Sequence, residues 1–217
     1  MACGPIHRRD GSNLDGNTML TLSFSTITVI MVAYGIGSIP FGLIFAKLSG
    51  HGDIRKIGSG NIGATNVLRT GSRKLAVLTL VFDTGKGAAA VGVASYFADI
   101  RVAAIAGLLA VIGHCFPIWL KFRGGKGVAS SLAVFTALDP LLGGVFVSVW
   151  LVTAFLSRYS SLAALAAVLA VTVGSFVLLD NMISQICISL LSALVWTRHH
   201  SNIGRLLAGT ETKIGAK

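Results

Sequence analysis

Charge is scarce in this chain, and acidic charge scarcest of all. Of its 217 residues 12% are charged, with Asp plus Glu at 8 against Lys plus Arg at 18. A soluble globular domain carries roughly 25% charged residues. That deficit, beside 53% hydrophobic residues, excludes an ordinary soluble domain and implies a surface facing lipid. The 3 cysteines, Cys3, Cys115 and Cys187, are scattered without a CxxC pair. This excludes a zinc knuckle and a disulfide framework. Cys115 directly follows His114, and adjacent residues on a helix do not face each other, so no Cys–His nucleophile is expected. The sequence holds no GxSxG elbow, carboxylate pair or metal-ligand cluster. No metal, cofactor or nucleic acid is expected as a partner.

What the chain has in quantity is apolar sequence. Residues 1–18 are polar and lack the apolar core of a signal peptide. They read as a disordered tail, with Met19 a candidate start. Seven apolar spans follow, at about Leu20–Leu48, Leu75–Ala98, Val102–Leu120, Val128–Leu138, Leu141–Leu156, Leu162–Leu179 and Ile183–Trp196. A full crossing needs roughly 20 residues, so the fourth is short. The expected fold is an all-α polytopic membrane protein of seven transmembrane helices. It forms a single domain over 19–209, with a cytoplasmic tail at 210–217.

The formal net charge is +10, and it is distributed by side. Arg55, Lys56, Arg69, Arg73 and Lys74 fall after the first span, Lys121, Arg123 and Lys126 after the third, and Arg158 after the fifth. Arg198, Arg205, Lys213 and Lys217 follow the seventh. The alternate turns are short and acidic, at Asp99 beside Arg101, Asp139 and Asp180. Positive loops stay in the cytoplasm, which puts the amino terminus outside and the carboxyl terminus inside.

Charge topology explains lysines on one face but not glycines. Gly58, Ser59, Gly60, Asn61, Gly63, Thr65 and Asn66 crowd one inside loop, with Arg69 just beyond. Gly124, Gly125, Lys126, Gly127 and Ser130 crowd the next. Glycine lets successive backbone N–H groups form a nest for an anion, and arginine pairs bidentately with phosphate. Lys126 precedes a helix start, itself an anion site. This is not a Walker loop, because Gly127 stands where a Ser or Thr would hold magnesium. A third segment runs through Arg198, His199, Ser201, Asn202 and Arg205. Alone it reads as a basic stretch touching lipid head groups. Asp83 and Lys86, inside the second span and three apart, share a helix face and are expected to pair in support of the site. His114 either lines the site or is a satisfied core histidine.

Together Gly37–Gly42, Gly58–Asn66, Gly124–Ser130 and Arg198–Gly209 resemble the bacterial acyl-phosphate:glycerol-3-phosphate acyltransferases. The resemblance covers about Leu22–Gly209. It implies transfer of a fatty acyl group from acyl phosphate to the 1-hydroxyl of glycerol 3-phosphate, giving lysophosphatidic acid and phosphate, the first step of phospholipid synthesis. It also implies a bacterial inner-membrane location and a site open to the cytoplasm. The histidine–aspartate pair of better-known glycerolipid acyltransferases is missing. The family's site positions fall on Ser59, Asn61, Thr65, Arg69, Lys126, His199 and Asn202. Ser59, Lys126, His199 and Asn202 would be catalytic. The glycines, Asn61, Thr65, Asn66, Arg69, Ser130, Arg198 and Arg205 would bind substrate. Ser201 replaces the family's usual Glu, and Ser130 its usual Thr. A soluble acyl-phosphate-producing enzyme is a conceivable partner. A transporter for an organic phosphate would use the same anion-binding loops, although no inverted repeat is evident.

Overall fold

The computed structural model describes residues 24–215. The expected tail at 1–18 lies outside them. Among the described residues all regular structure is helical, as ten α-helices and three short 3-10 turns. The helices are α1 Phe24–Gly37, α2 Phe41–Leu48, α3 Ala64–Val67, α4 Arg73–Phe97 and α5 Ile100–Cys115, followed by α6 Val128–Leu138, α7 Pro140–Ser157, α8 Ser160–Leu178, α9 Met182–Arg198 and α10 His200–Leu207.

Five segments among them are long and apolar enough to cross a membrane: Thr26–Leu48, Arg73–Phe97, Ile100–Leu120, Pro140–Ser157 and Ser160–Leu178. The other two expected spans form shorter apolar helices, α6 and α9. The protein is membrane-embedded.

The first span is not one helix. It breaks at Ser38–Pro40, because proline lacks an N–H and disfavours helix in the residue before it. In lipid the freed carbonyls need donors. The indole of Trp119 donates to the Ser38 carbonyl at 2.8 Å, and Lys86 Nζ to that of Ile39 at 2.9 Å.

Small residues set the packing. α5 is the central helix, packed on α1, α4, α6 and α9. Its buried face is Ala103, Ala104, Ala106, Gly107 and Ala110, side chains small enough for close backbone approach in a bilayer. Bulky Val81, Phe155, Val173, Phe176 and Val177 point outward, where lipid solvates them.

Turns of a few residues join α4 to α5, α6 to α7 and α8 to α9. Asp99, Asp139 and Asn181 cap the helices that follow, each accepting from the first-turn backbone. These hairpins send the glycine-rich segments to the opposite end of the bundle. The sequence after α9 was expected as a basic stretch; it is a further helix, α10.

Candidate active site

The centre of this end is Lys126. Gly127, at φ +82°, caps α6 in the left-handed region that favours glycine. The Lys126 side chain reaches α10 and donates to the carbonyl oxygen of Asn202. The Asn202 amide nitrogen donates in turn to Glu211 Oε1 at 2.6 Å. An ammonium only donates and a carboxylate only accepts, so the Asn202 side chain is locked in one orientation. Glu211 also accepts from Ser161 at 2.7 Å and from Arg205 Nε at 2.6 Å.

Cations outnumber this one carboxylate. Burial lowers the Lys126 pKa to about 8; Arg205, Arg198 and Arg69 push the same way and Glu211 opposes them. Desolvation also tends to raise the Glu211 carboxyl, but its bonds from Ser161, Asn202 and Arg205 outweigh that and hold it below the usual range. A cationic cluster of this kind attracts anions.

The two glycines before Lys126 do something other than expected with their N–H groups. Gly124 donates to the Cys115 carbonyl and Gly125 to that of His114, both at 3.0 Å, closing the end of α5. Their carbonyls accept from Arg198 at 3.0 and 3.1 Å, and the Arg198 guanidinium lies 5.1 Å from the Phe116 ring. These glycines and Arg198 therefore clamp the loop. Within this segment, the donors left for an anion are the Lys126 side chain and, as at any helix start, the first backbone N–H groups of α6.

The Gly58–Asn66 loop is organised by Asn66. This buried side chain accepts from Ser59 N at 3.0 Å and Ser59 Oγ at 3.3 Å, and donates to the Ile54 carbonyl at 2.8 Å. Gly58 and Gly60 have φ of +54° and +69°. A Cβ on Gly58 would strike Arg69 and Asn66, so the Arg69 stem lies directly over this turn. Asn61 accepts from Ile62 N at 3.0 Å, a Cβ on Gly63 would approach Asn61, and Thr65 is exposed. Ser130 faces away into the bundle, its hydroxyl donating to the Asp83 carbonyl at 2.9 Å.

His199 is buried at the end of α9, with Nδ1 2.7 Å from the Val195 carbonyl. A carbonyl only accepts, so Nδ1 carries the proton and Nε2 keeps its lone pair. Burial drives its pKa down to about 4, against the bond to Val195. A cleft of about 500 Å³ opens beside the clamp, lined by Asp53, Arg55, Gly60, Phe122, Arg123, Gly124 and Arg198. It joins the first glycine segment to the second.

The chain matches known proteins over nearly the whole of this bundle. A profile of the family described as "Glycerol-3-phosphate acyltransferase" matches residues 27–209. The chain is 49% identical over 193 residues to the glycerol-3-phosphate acyltransferase of Rhizobium meliloti (strain 1021), covering 89% of this chain and 94% of that one.

The chain belongs to the glycerol-3-phosphate acyltransferase family.

Another member, from Agrobacterium fabrum (strain C58 / ATCC 33970), is 51% identical over 187 residues, covering 86% of this chain and 91% of its own. The fold matches the crystal structure of PlsY (YgiH), an integral membrane glycerol 3-phosphate acyltransferase, in its glycerol 3-phosphate form. That match has a TM-score of 0.85 and 38% identity, and covers 88% of this chain and 96% of that one. The lysophosphatidic acid form of PlsY matches with a TM-score of 0.83.

Within this acyltransferase, sequence reasoning missed Glu211, which lay in a supposed tail. The signal was present: it is the chain's single glutamate. It supplies a carboxylate beside Asn202, while Ser201 faces outward, exposed.

Proposed function

We propose that this chain transfers a fatty acyl group from acyl phosphate to the 1-hydroxyl of glycerol 3-phosphate. The products are lysophosphatidic acid and phosphate. The observation that carries the reading is the Lys126–Asn202–Glu211 chain set among Arg69, Arg198 and Arg205. It is a site rich in cations and donors and poor in bases.

Such a site suits an acyl donor that is already activated. Acyl phosphate is a mixed anhydride, so no covalent acyl-enzyme is needed. The protein holds two anions together and stabilises the charge that develops. Lys126 and Arg69 take the phosphates. Asn202 keeps one amide hydrogen free of Glu211 and polarises the acyl carbonyl with it; the Ser59 hydroxyl joins in by turning its one hydrogen from Asn66, 3.3 Å away, to the substrate. The glycerol oxygen attacks that carbon, and the carbon–oxygen bond to phosphate breaks. The hydroxyl proton passes through Nε2 of His199 to the departing phosphate. Phosphate, with a second pKa of about 6, is a stronger base than His199 at about 4.

The site faces the cytoplasm of a bacterial inner membrane, with α6 and α9 completing seven crossings. What supports this placement is the gathering of most basic residues at the site's end of the bundle, and of Asp99 (beside Arg101), Asp139 and Asp180 in the turns at the other. The acyl chain lies in a lipid-side groove. The lability of acyl phosphate favours delivery by a soluble enzyme that makes it.

Proteoliposomes test the reading against transport. Labelled glycerol 3-phosphate supplied with palmitoyl phosphate is expected to appear in a lipid product. Uptake into the lumen without lipid product would overturn acyl transfer in favour of a transporter.

A further inference from the structure

Three ionisable side chains lie buried inside the bundle, behind the site. Lys86 Nζ is 2.8 Å from Asp83 Oδ1 on the same helix, with both side chains under 5% exposed at 2% and 4%. It is also 2.8 Å from His114 Nδ1 on α5, and it donates to the Ile39 carbonyl at the break between α1 and α2. His114 Nδ1 stands 3.7 Å from Asp83 Oδ1.

An ammonium has no lone pair to offer, so His114 Nδ1 is the acceptor and its own hydrogen sits on Nε2. That fixes the ring's tautomer. The Nε2 edge lies against Gly125, where an added Cβ would overlap it. The His114 main chain holds the same residue, its carbonyl accepting from Gly125 N at 3.0 Å. On the far side of Lys126, Ser130 Oγ donates to the Asp83 carbonyl at 2.9 Å. The segment carrying Lys126 thus rests at one end on the His114 ring, through Gly125, and at the other on the main-chain carbonyl of Asp83, through Ser130, on the helix whose side chains Asp83 and Lys86 pair. Apolar side chains of similar volume would hold the helices together without desolvating charges in lipid. Intramembrane ionisable groups that persist at that cost are functional candidates.

We propose that Asp83, Lys86 and His114 are positioning residues, setting the height and tilt of the loop that presents Lys126 without touching substrate themselves. The proposal rests on the acyl-transfer reading above. A misplacement of about 1 Å at a reacting group, caused from a distance, costs up to about a hundredfold.

The test is the double variant Asp83→Asn/Lys86→Met, which leaves no buried charge unpaired. Its kinetics with palmitoyl phosphate are set beside its thermal unfolding in detergent. The expected result is a protein that still folds, with an unfolding temperature lowered by the lost donor to the Ile39 carbonyl, and a KM for glycerol 3-phosphate raised about tenfold. In a Lys126→Arg background the same double change should raise KM less than about threefold, because the two act through one group. His114→Asn keeps an acceptor for Lys86 but empties the space against Gly125. It should raise KM in the same way, and it serves where the double variant does not fold. A folded variant whose KM stays within about twofold, or full additivity with Lys126→Arg, would overturn the proposal alone. A folded wild-type protein that makes no lysophosphatidic acid would overturn the acyl-transfer reading, and the proposal with it.

Discussion

Lys126 donates a hydrogen bond to the side-chain carbonyl of Asn202, 76 residues further along the chain. One comes from the loop before α6 and the other from α10. The bond joins two of the three glycine–basic segments. Asn202→Asp puts a second carboxylate against Glu211 and removes the amide donor. Transfer should fall at least about tenfold, read as kcat/KM in an otherwise folded protein. Lys126→Ala should abolish transfer with folding intact, and substantial activity in it would remove Lys126 from its role.

The Lys126 pKa near 8 gives activity and stability opposite pH trends. The ammonium proposed to bind phosphate is lost as pH rises through about 8, so kcat/KM should fall there. The unfolded chain keeps its proton up to the ordinary 10.5. It therefore binds more protons than the native protein between about 8 and 10.5, and Lys126 makes the fold more stable as pH rises across that window. A pH–rate profile and unfolding at the same pH values check both trends.

Glu211 is the hub for Asn202, Ser161 and Arg205. Glu211→Gln turns one acceptor into a donor facing donors. It should cost about 1–3 kcal/mol of stability and lower activity by releasing Asn202. Thermal unfolding with kinetics would register both.

Ser201 is exposed on α10, and the carboxylate at Asn202 comes from Glu211. Ser201→Glu should accordingly leave kcat/KM within about twofold, as surface substitutions usually do for stability. A large gain would mean that Glu211 is not a sufficient carboxylate.

Gly125→Ala places a methyl group into the His114 imidazole. The loop must shift, so the KM for glycerol 3-phosphate should rise about tenfold or more. Gly85→Ala, where a Cβ meets nothing, is the control and should behave as wild type.

Much of this was legible in the sequence, and for physical reasons. The positions of the apolar helices follow from local hydropathy, and the clustering of Lys126, Asn202 and Arg69 at one end follows from the short turns at the other. The Asp83–Lys86 pair follows from helix geometry. The break at Pro40 was written in the proline but masked by the apolar run around it. The use of Gly124 and Gly125 N–H groups to close α5 depends on tertiary contact with His114 and Cys115, which no local pattern encodes. Glu211 escaped because its partners Ser161, Asn202 and Arg205 come together only when α8 and α10 pack.

The most direct test of acyl transfer is phosphate release by purified, detergent-solubilised protein given palmitoyl phosphate, with and without glycerol 3-phosphate. Release that depends on the acceptor and matches the lysophosphatidic acid formed is the expected result. Release unaffected by the acceptor, or none from a folded sample, would contradict the account.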